Sequence, residues 1–200
     1  MARLAIFGGT FNPIHNGHID IAVYFKEYLN LDKVIFIPTN ISPHKEIYGN
    51  ISTEDRYKMC LLATQKYEFM EVSDIEILRD GPSYTVDTLE ILIKKYSNTK
   101  FYIIMGADMF LTVQDWKKSS EILKNAIICT VPRDDSNYQV LKKHENFLKK
   151  YGADTIVADR PVTDISSTMV RNKILNNENI DLLIPKSVKD YIIKRKLYFR

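Results

Sequence analysis

Residues 8–18, GGTFNPIHNGH, place two glycines, a proline and two histidines directly behind the apolar run Leu4-Ala5-Ile6-Phe7. Gly8 and Gly9 would let the backbone turn sharply and approach a ligand, and Gly17 opens a helical pattern whose first N–H groups favour an anion. His15 and His18 stand three apart at that helix start, so both rings can face one side of the loop and donate to phosphate oxygens. Taken alone, the pair also fits a surface accident or half of a metal site, although a zinc site lacks a third ligand nearby in sequence and leaves the glycines unexplained. The segment is neither a Walker loop nor a GxGxxG dinucleotide fingerprint.

A second constellation, DISSTMVR at 164–171, precedes another helical pattern. Ser166, Ser167 and Thr168 can cap that helix, and Arg171, one turn inside, can lean back toward an anion held at the cap. The plainer reading is a serine-rich cap beside a solvated arginine. SYTVDTL, residues 83–89, starts a helix after Gly81-Pro82, so Thr85 and neighbouring N–H groups can receive a carboxylate, or Tyr84 is simply a core residue beside a cap. Gly106 and Asp108 follow an apolar run; a carboxylate there can accept from vicinal ribose hydroxyls or cap a helix. His44 and Lys45 lie on the long connection 38–52, which could close over phosphates or be an exposed charged loop, and Arg56 beyond it could support that loop.

The elements that must position these residues alternate along the chain. Residues 4–7, 34–37, 101–105, 126–131 and 154–158 read as strands, several apolar on both faces. Residues 17–30, 53–66, 85–97, 119–124, 136–151 and 167–175 read as amphipathic helices. This order predicts an α/β fold, a Rossmann-like doubly wound parallel sheet with helices on both faces, whose ligands bind beyond the carboxyl ends of the strands. With 200 residues, 45% of them hydrophobic, one domain over 1–200 is expected, its final part from about 160 helical. The formal charge of +3, from 28 basic and 25 acidic residues, gives no basic face for nucleic acid. The basic KRKLYFR at 194–200 reads as a solvated helix end packing its apolar residues. Cys60 and Cys129 form no CxxC pair, which fits a reducing compartment, and no apolar run approaches the ~18 residues of a membrane span, so a cytoplasmic protein is expected. A homodimer is neither required nor excluded.

GGTFNPIHNGH together with ISSTMVR resembles the HxGH nucleotidyltransferase superfamily. PHK at 43–45, SYTVDTL, MGADMF at 105–110 and Trp116 make the whole chain similar to the bacterial nicotinate-nucleotide adenylyltransferase family within it. That resemblance implies transfer of the adenylyl group of ATP to nicotinate mononucleotide, with His15, His18 and Arg171 catalytic. It implies an ATP site at Gly8, Gly9, Thr10, Phe11, Gly106, Asp108, Ile165, Ser166 and Thr168. It implies a nicotinate mononucleotide site at His44, Lys45, Tyr84, Thr85 and Trp116, the last stacking on the pyridine. No protein-held metal is implied; Mg²⁺ would be bound mainly through the ATP phosphates. The chain departs from the family at Asn12, commonly Asp, and at Lys117, commonly aromatic. A pantetheine-phosphate adenylyltransferase-like enzyme, or a non-catalytic adenine-nucleotide sensor on the same fold, are the rival readings.

Overall fold

The computed structural model describes residues 1–43, 49, 51–159 and 165–199. Its centre is a six-stranded parallel sheet of β1 (Ala2–Gly9), β2 (Lys33–Pro38), β3 (Met70–Val72), β4 (Thr99–Met105), β5 (Ala126–Thr130) and β6 (Thr155–Val157), in the spatial order β3-β2-β1-β4-β5-β6. This is the Rossmann-like order, and its point of reversal lies between β1 and β4. The register sets Ile6 opposite both Ile35 and Ile103, so the three central strands end together at Gly9, Pro38 and Met105.

Both faces of the sheet are apolar because both are covered. Ala5, Phe7, Val34, Phe36, Tyr102 and Ile104 face a core shared with α1 (Asn16–Leu29), α2 (Thr53–Thr64), α7 (Ser167–Leu175) and α8 (Lys186–Arg195). Leu4, Ile6, Ile35, Ile37, Phe101, Ile103 and Met105 face a second core with α3 (Thr85–Lys95), α4 (Ala107–Phe110), α5 (Ser119–Asn125) and α6 (Asp135–Lys149). The alternation of side chains along a strand divides β1 between them. Caps fix the helix starts: Ser52 accepts from the Asp55 N–H, Asp134 from Asn137 and Ser166 from Met169.

The expected strands and helices are present with ends shifted by one to two residues. Three further elements carry too little pattern to be read from sequence: β3 is three residues long, α4 is four, and a single 3-10 turn spans Val113–Asp115; α8, with Val188 and Ile192 buried, is the helix expected near the end of the chain. One local reading is corrected. Gly8 and Gly9 do not turn the chain; they continue β1 opposite Ile37 and Pro38, and the left-handed residue is Phe11, at φ 47°. Gly9 is needed for clearance, since a Cβ there would stand 3.0 Å from the Phe11 ring, whereas Gly8 borders open space.

A candidate nucleotidyl-transfer site

The loop from Thr10 to His15 leaves β1 at the reversal point and enters α1, with His15 as its extended N-cap residue. The His15 and His18 rings stack with centroids 3.6 Å apart. The His15 N–H donates to His18 Nδ1 at 3.2 Å, so a neutral His18 carries its proton on Nε2, the nitrogen away from its own backbone. Phe11 stands edge-on to His18, centroids 5.0 Å apart, and locks that ring from the other side. Phe11 itself is buried in the first core and offers a nucleotide almost no surface; its place is beneath the histidine.

His15 is 6% exposed, and burial lowers its pKa to about 4. Its Nδ1 is buried without a hydrogen-bond partner, which disfavours a proton on that atom. His15 is therefore neutral at physiological pH and acts as a dipole rather than a cation. The unfolded chain, with a histidine pKa near 6.5, takes up a proton that the folded chain refuses, so the contribution of neutral His15 to stability is complete above about pH 6.5 and is lost as pH falls toward 4. Its size is about 3 kcal/mol. His15→Asn should flatten the decline in melting temperature between pH 7 and 4.5; parallel profiles for variant and wild type would overturn this assignment.

α7 is stapled to the same loop. Arg171 Nη1 donates to the Asn12 carbonyl at 2.8 Å and Nη2 to Thr168 Oγ1 at 3.0 Å, while Ser167 Oγ donates to the Pro13 carbonyl at 2.8 Å. The two motifs are thus one structure. Ser166 spends its hydroxyl on the cap and is exposed, Thr168 is exposed beside Arg171, and Ile165 is half-buried against the first core.

Beneath the loop, the fully buried Arg56 donates to the Thr10 carbonyl at 2.8 Å and to Thr53 Oγ1 at 3.0 Å, with a longer contact of 3.5 Å to the Asn40 carbonyl. Burial lowers its pKa, but a guanidinium starts so high that it stays charged. Among the described residues no carboxylate forms an ion pair with it, so its positive charge is held beneath the loop.

The second half of the site begins where Asn40 and Ile41, beyond β2, meet the approach to α3: Asn40 N–H donates to Ser83 Oγ and Ser83 N–H to the Ile41 carbonyl. Tyr84 precedes α3 without a side-chain cap, and among the described residues the N–H groups of Thr85 and Val86 have no acceptor. Tyr84 and Trp116, both half-buried, pack on the second core. Lys117 joins them: Nζ lies 4.2 Å over the Tyr84 ring and 3.1 Å from Asp87, whose negative charge would otherwise oppose an anion at this helix start. Behind it, buried Glu76 accepts from Thr88 Oγ1 at 2.8 Å, and burial raises its pKa. Gly106 precedes α4, and Asp108 is exposed and paired with Arg133 at 2.8 Å. Arg133, Glu76 and Lys117's contact with α3 were not legible as site features in the sequence. His44 and Lys45 lie outside the described residues, as does the middle of the connection expected to close over phosphates.

The cytidylyltransferase-like family model matches residues 6–173. The chain is 41% identical over 199 residues to the probable nicotinate-nucleotide adenylyltransferase of Clostridium novyi (strain NT), covering 99% of this chain and all of that one. It is likewise 41% identical over 198 residues to the protein of that name from Carboxydothermus hydrogenoformans, covering 98% of each. In fold it is similar to the Plasmodium falciparum nicotinic acid mononucleotide adenylyltransferase complexed with NaAD, with a TM-score of 0.80 at 20% identity over 99% of this chain and 98% of that one.

Proposed function

Because the chain belongs to the nicotinate-nucleotide adenylyltransferases within the cytidylyltransferase-like family, we propose that it transfers the adenylyl group of ATP to nicotinate mononucleotide, forming nicotinate adenine dinucleotide and pyrophosphate in NAD biosynthesis. The observation that carries this reading to the residues is the Arg171–Asn12 hydrogen bond, which puts the guanidinium of one motif onto the histidine loop of the other.

The acceptor's 5′-phosphate is already largely dianionic near neutral pH, its second pKa being about 6, so no general base is required. One of its oxygens attacks the α-phosphorus of ATP in line; that P–O bond forms as the bond to the α–β bridging oxygen breaks, and pyrophosphate departs with the electron pair. The protein has then to align two nucleotides and stabilise the charge that spreads over the α-phosphate and leaving group. His18 donates from Nε2 to the transferring phosphate, with His15 behind it. Arg171, Ser166 and Thr168 hold the outgoing phosphates, and Arg56 adds its field from below. Gly8, which borders open space, leaves room for the phosphates, and Asp108, beside Gly106, receives the ribose hydroxyls.

Mg²⁺, held mainly by the ATP phosphates and water, would supply charge neutralisation there. Among the described residues no three His, Cys, Asp or Glu side chains converge to hold an ion, and the loop's own groups are imidazoles and guanidiniums, donors that suit phosphate oxygens and not this cation. For the acceptor, the N–H groups of Thr85 and Val86 suit the nicotinate carboxylate, Lys117 neutralises Asp87 beside them, and Trp116 offers its ring to the pyridine. Among the described residues no helix is long and apolar enough to cross a membrane, and a substrate pair of this kind supports a cytoplasmic location.

Pyrophosphate release with Mg-ATP and, separately, nicotinate mononucleotide, nicotinamide mononucleotide and phosphopantetheine tests the reading. The acid should exceed the amide by about 10- to 100-fold in kcat/KM, the worth of one charge-assisted hydrogen bond. Release with phosphopantetheine alone would keep the ATP half and overturn the acceptor. Silence with all three, with ATP bound, would leave a nucleotide sensor.

A further inference from the structure

We propose that Tyr198 is a positioning residue for adenylyl transfer, acting through its hydrogen bond to the Asn12 side chain; the inference rests on the reaction proposed above. Beyond α8 the chain reverses through two left-handed residues, Lys196 at φ 52° and Tyr198 at φ 67°. Such a backbone is strained for a tyrosine and persists only where the surroundings hold it. Leu197 N–H bonds back to the Ile192 carbonyl, and Leu197 and Tyr198 pack on the first core. The Tyr198 hydroxyl then donates to Asn12 Oδ1 at 2.7 Å, across 186 residues of sequence.

Asn12 is 4% exposed and lies at the middle of the loop from Thr10 to His15. Its carbonyl receives Arg171, the next carbonyl receives Ser167, and Ile14 and His15 follow directly. One side chain thus sets the plane of the peptide on which Arg171 rests and the entry of the chain into the histidine helix. Tyr198 stands near both Arg171 and Arg56, and burial keeps its hydroxyl protonated and so a donor. With an Asn at position 12, the tyrosine meets a neutral acceptor and adds no charge under the phosphates.

The test is a double-mutant cycle of Tyr198→Phe and Asn12→Ala in the full chain, read in kcat, KM for ATP and melting temperature. Tyr198→Phe should lower kcat about 5- to 10-fold with KM for ATP within about 2-fold, and should add less than about 2-fold once Asn12 is alanine. A merely structural tyrosine would lower the melting temperature and leave kcat alone. Unchanged kcat, or equal effects in both backgrounds, would overturn the proposal. A wild type silent with nicotinate mononucleotide would overturn the reaction instead, and the cycle would then be decided on the dissociation constant for Mg-ATP, where additive effects exclude coupling and non-additive effects sustain it.

Discussion

His18→Ala lowers kcat for pyrophosphate release by about 10²- to 10⁴-fold and leaves a folded protein. The expectation comes from how much of the surrounding structure is arranged for that one nitrogen. The stacked His15, the nearly perpendicular Phe11 ring and the His15 backbone N–H donating to Nδ1 together fix the ring's plane and its tautomer, so Nε2–H is in place before substrate arrives. A methyl group offers no donor, and a water admitted in its place would have to be oriented in every turnover. The fold has less at stake, because His18 is half-buried and its partners are held by other contacts. Circular dichroism and a melting curve alongside the assay separate the two effects; near-normal turnover in a folded variant would refute the role.

Arg56→Met should lower the melting temperature by about 10 °C, although no substrate need touch this side chain. Its guanidinium, which has no exposed surface of its own, satisfies the Thr10 carbonyl and the Thr53 hydroxyl. Methionine keeps most of the volume and satisfies neither group, and each buried orphan costs about 1–3 kcal/mol. The sum, about 2–6 kcal/mol, corresponds at about 2–4 °C per kcal/mol to a shift on the order of 10 °C for a chain of this size. ATP affinity should fall with it, since Thr10 begins the loop proposed to receive the phosphates. A shift under about 2 °C in differential scanning fluorimetry would show that the guanidinium is not holding the loop.

The fold and the two candidate phosphate-binding segments were legible because they depend on local pattern. Runs apolar on both faces announce buried parallel strands, and a histidine pair at a helix start with a serine-capped arginine announces anion chemistry. What stayed hidden depends on distance in sequence. Tyr198 reaches Asn12 only once α8 has packed against α2, and Lys117 meets Asp87 only when α5 and α3 lie side by side. The glycines misled for a physical reason: the letters report absence of a side chain, and that absence serves clearance for the Phe11 ring as readily as it serves a turn.

The division of β1 between two cores has an evolutionary consequence. The histidine loop, α7 and the tail after α8 rest on one face of the sheet, while Tyr84, Thr85, Trp116 and Lys117 rest on the other. On the reading proposed above, changes that reshape the acceptor pocket repack one side and leave the reacting phosphates on the other undisturbed, since substitutions without shared partners act nearly independently. A scaffold so divided can acquire new acceptors by drift on one face while selection holds its chemistry constant on the other.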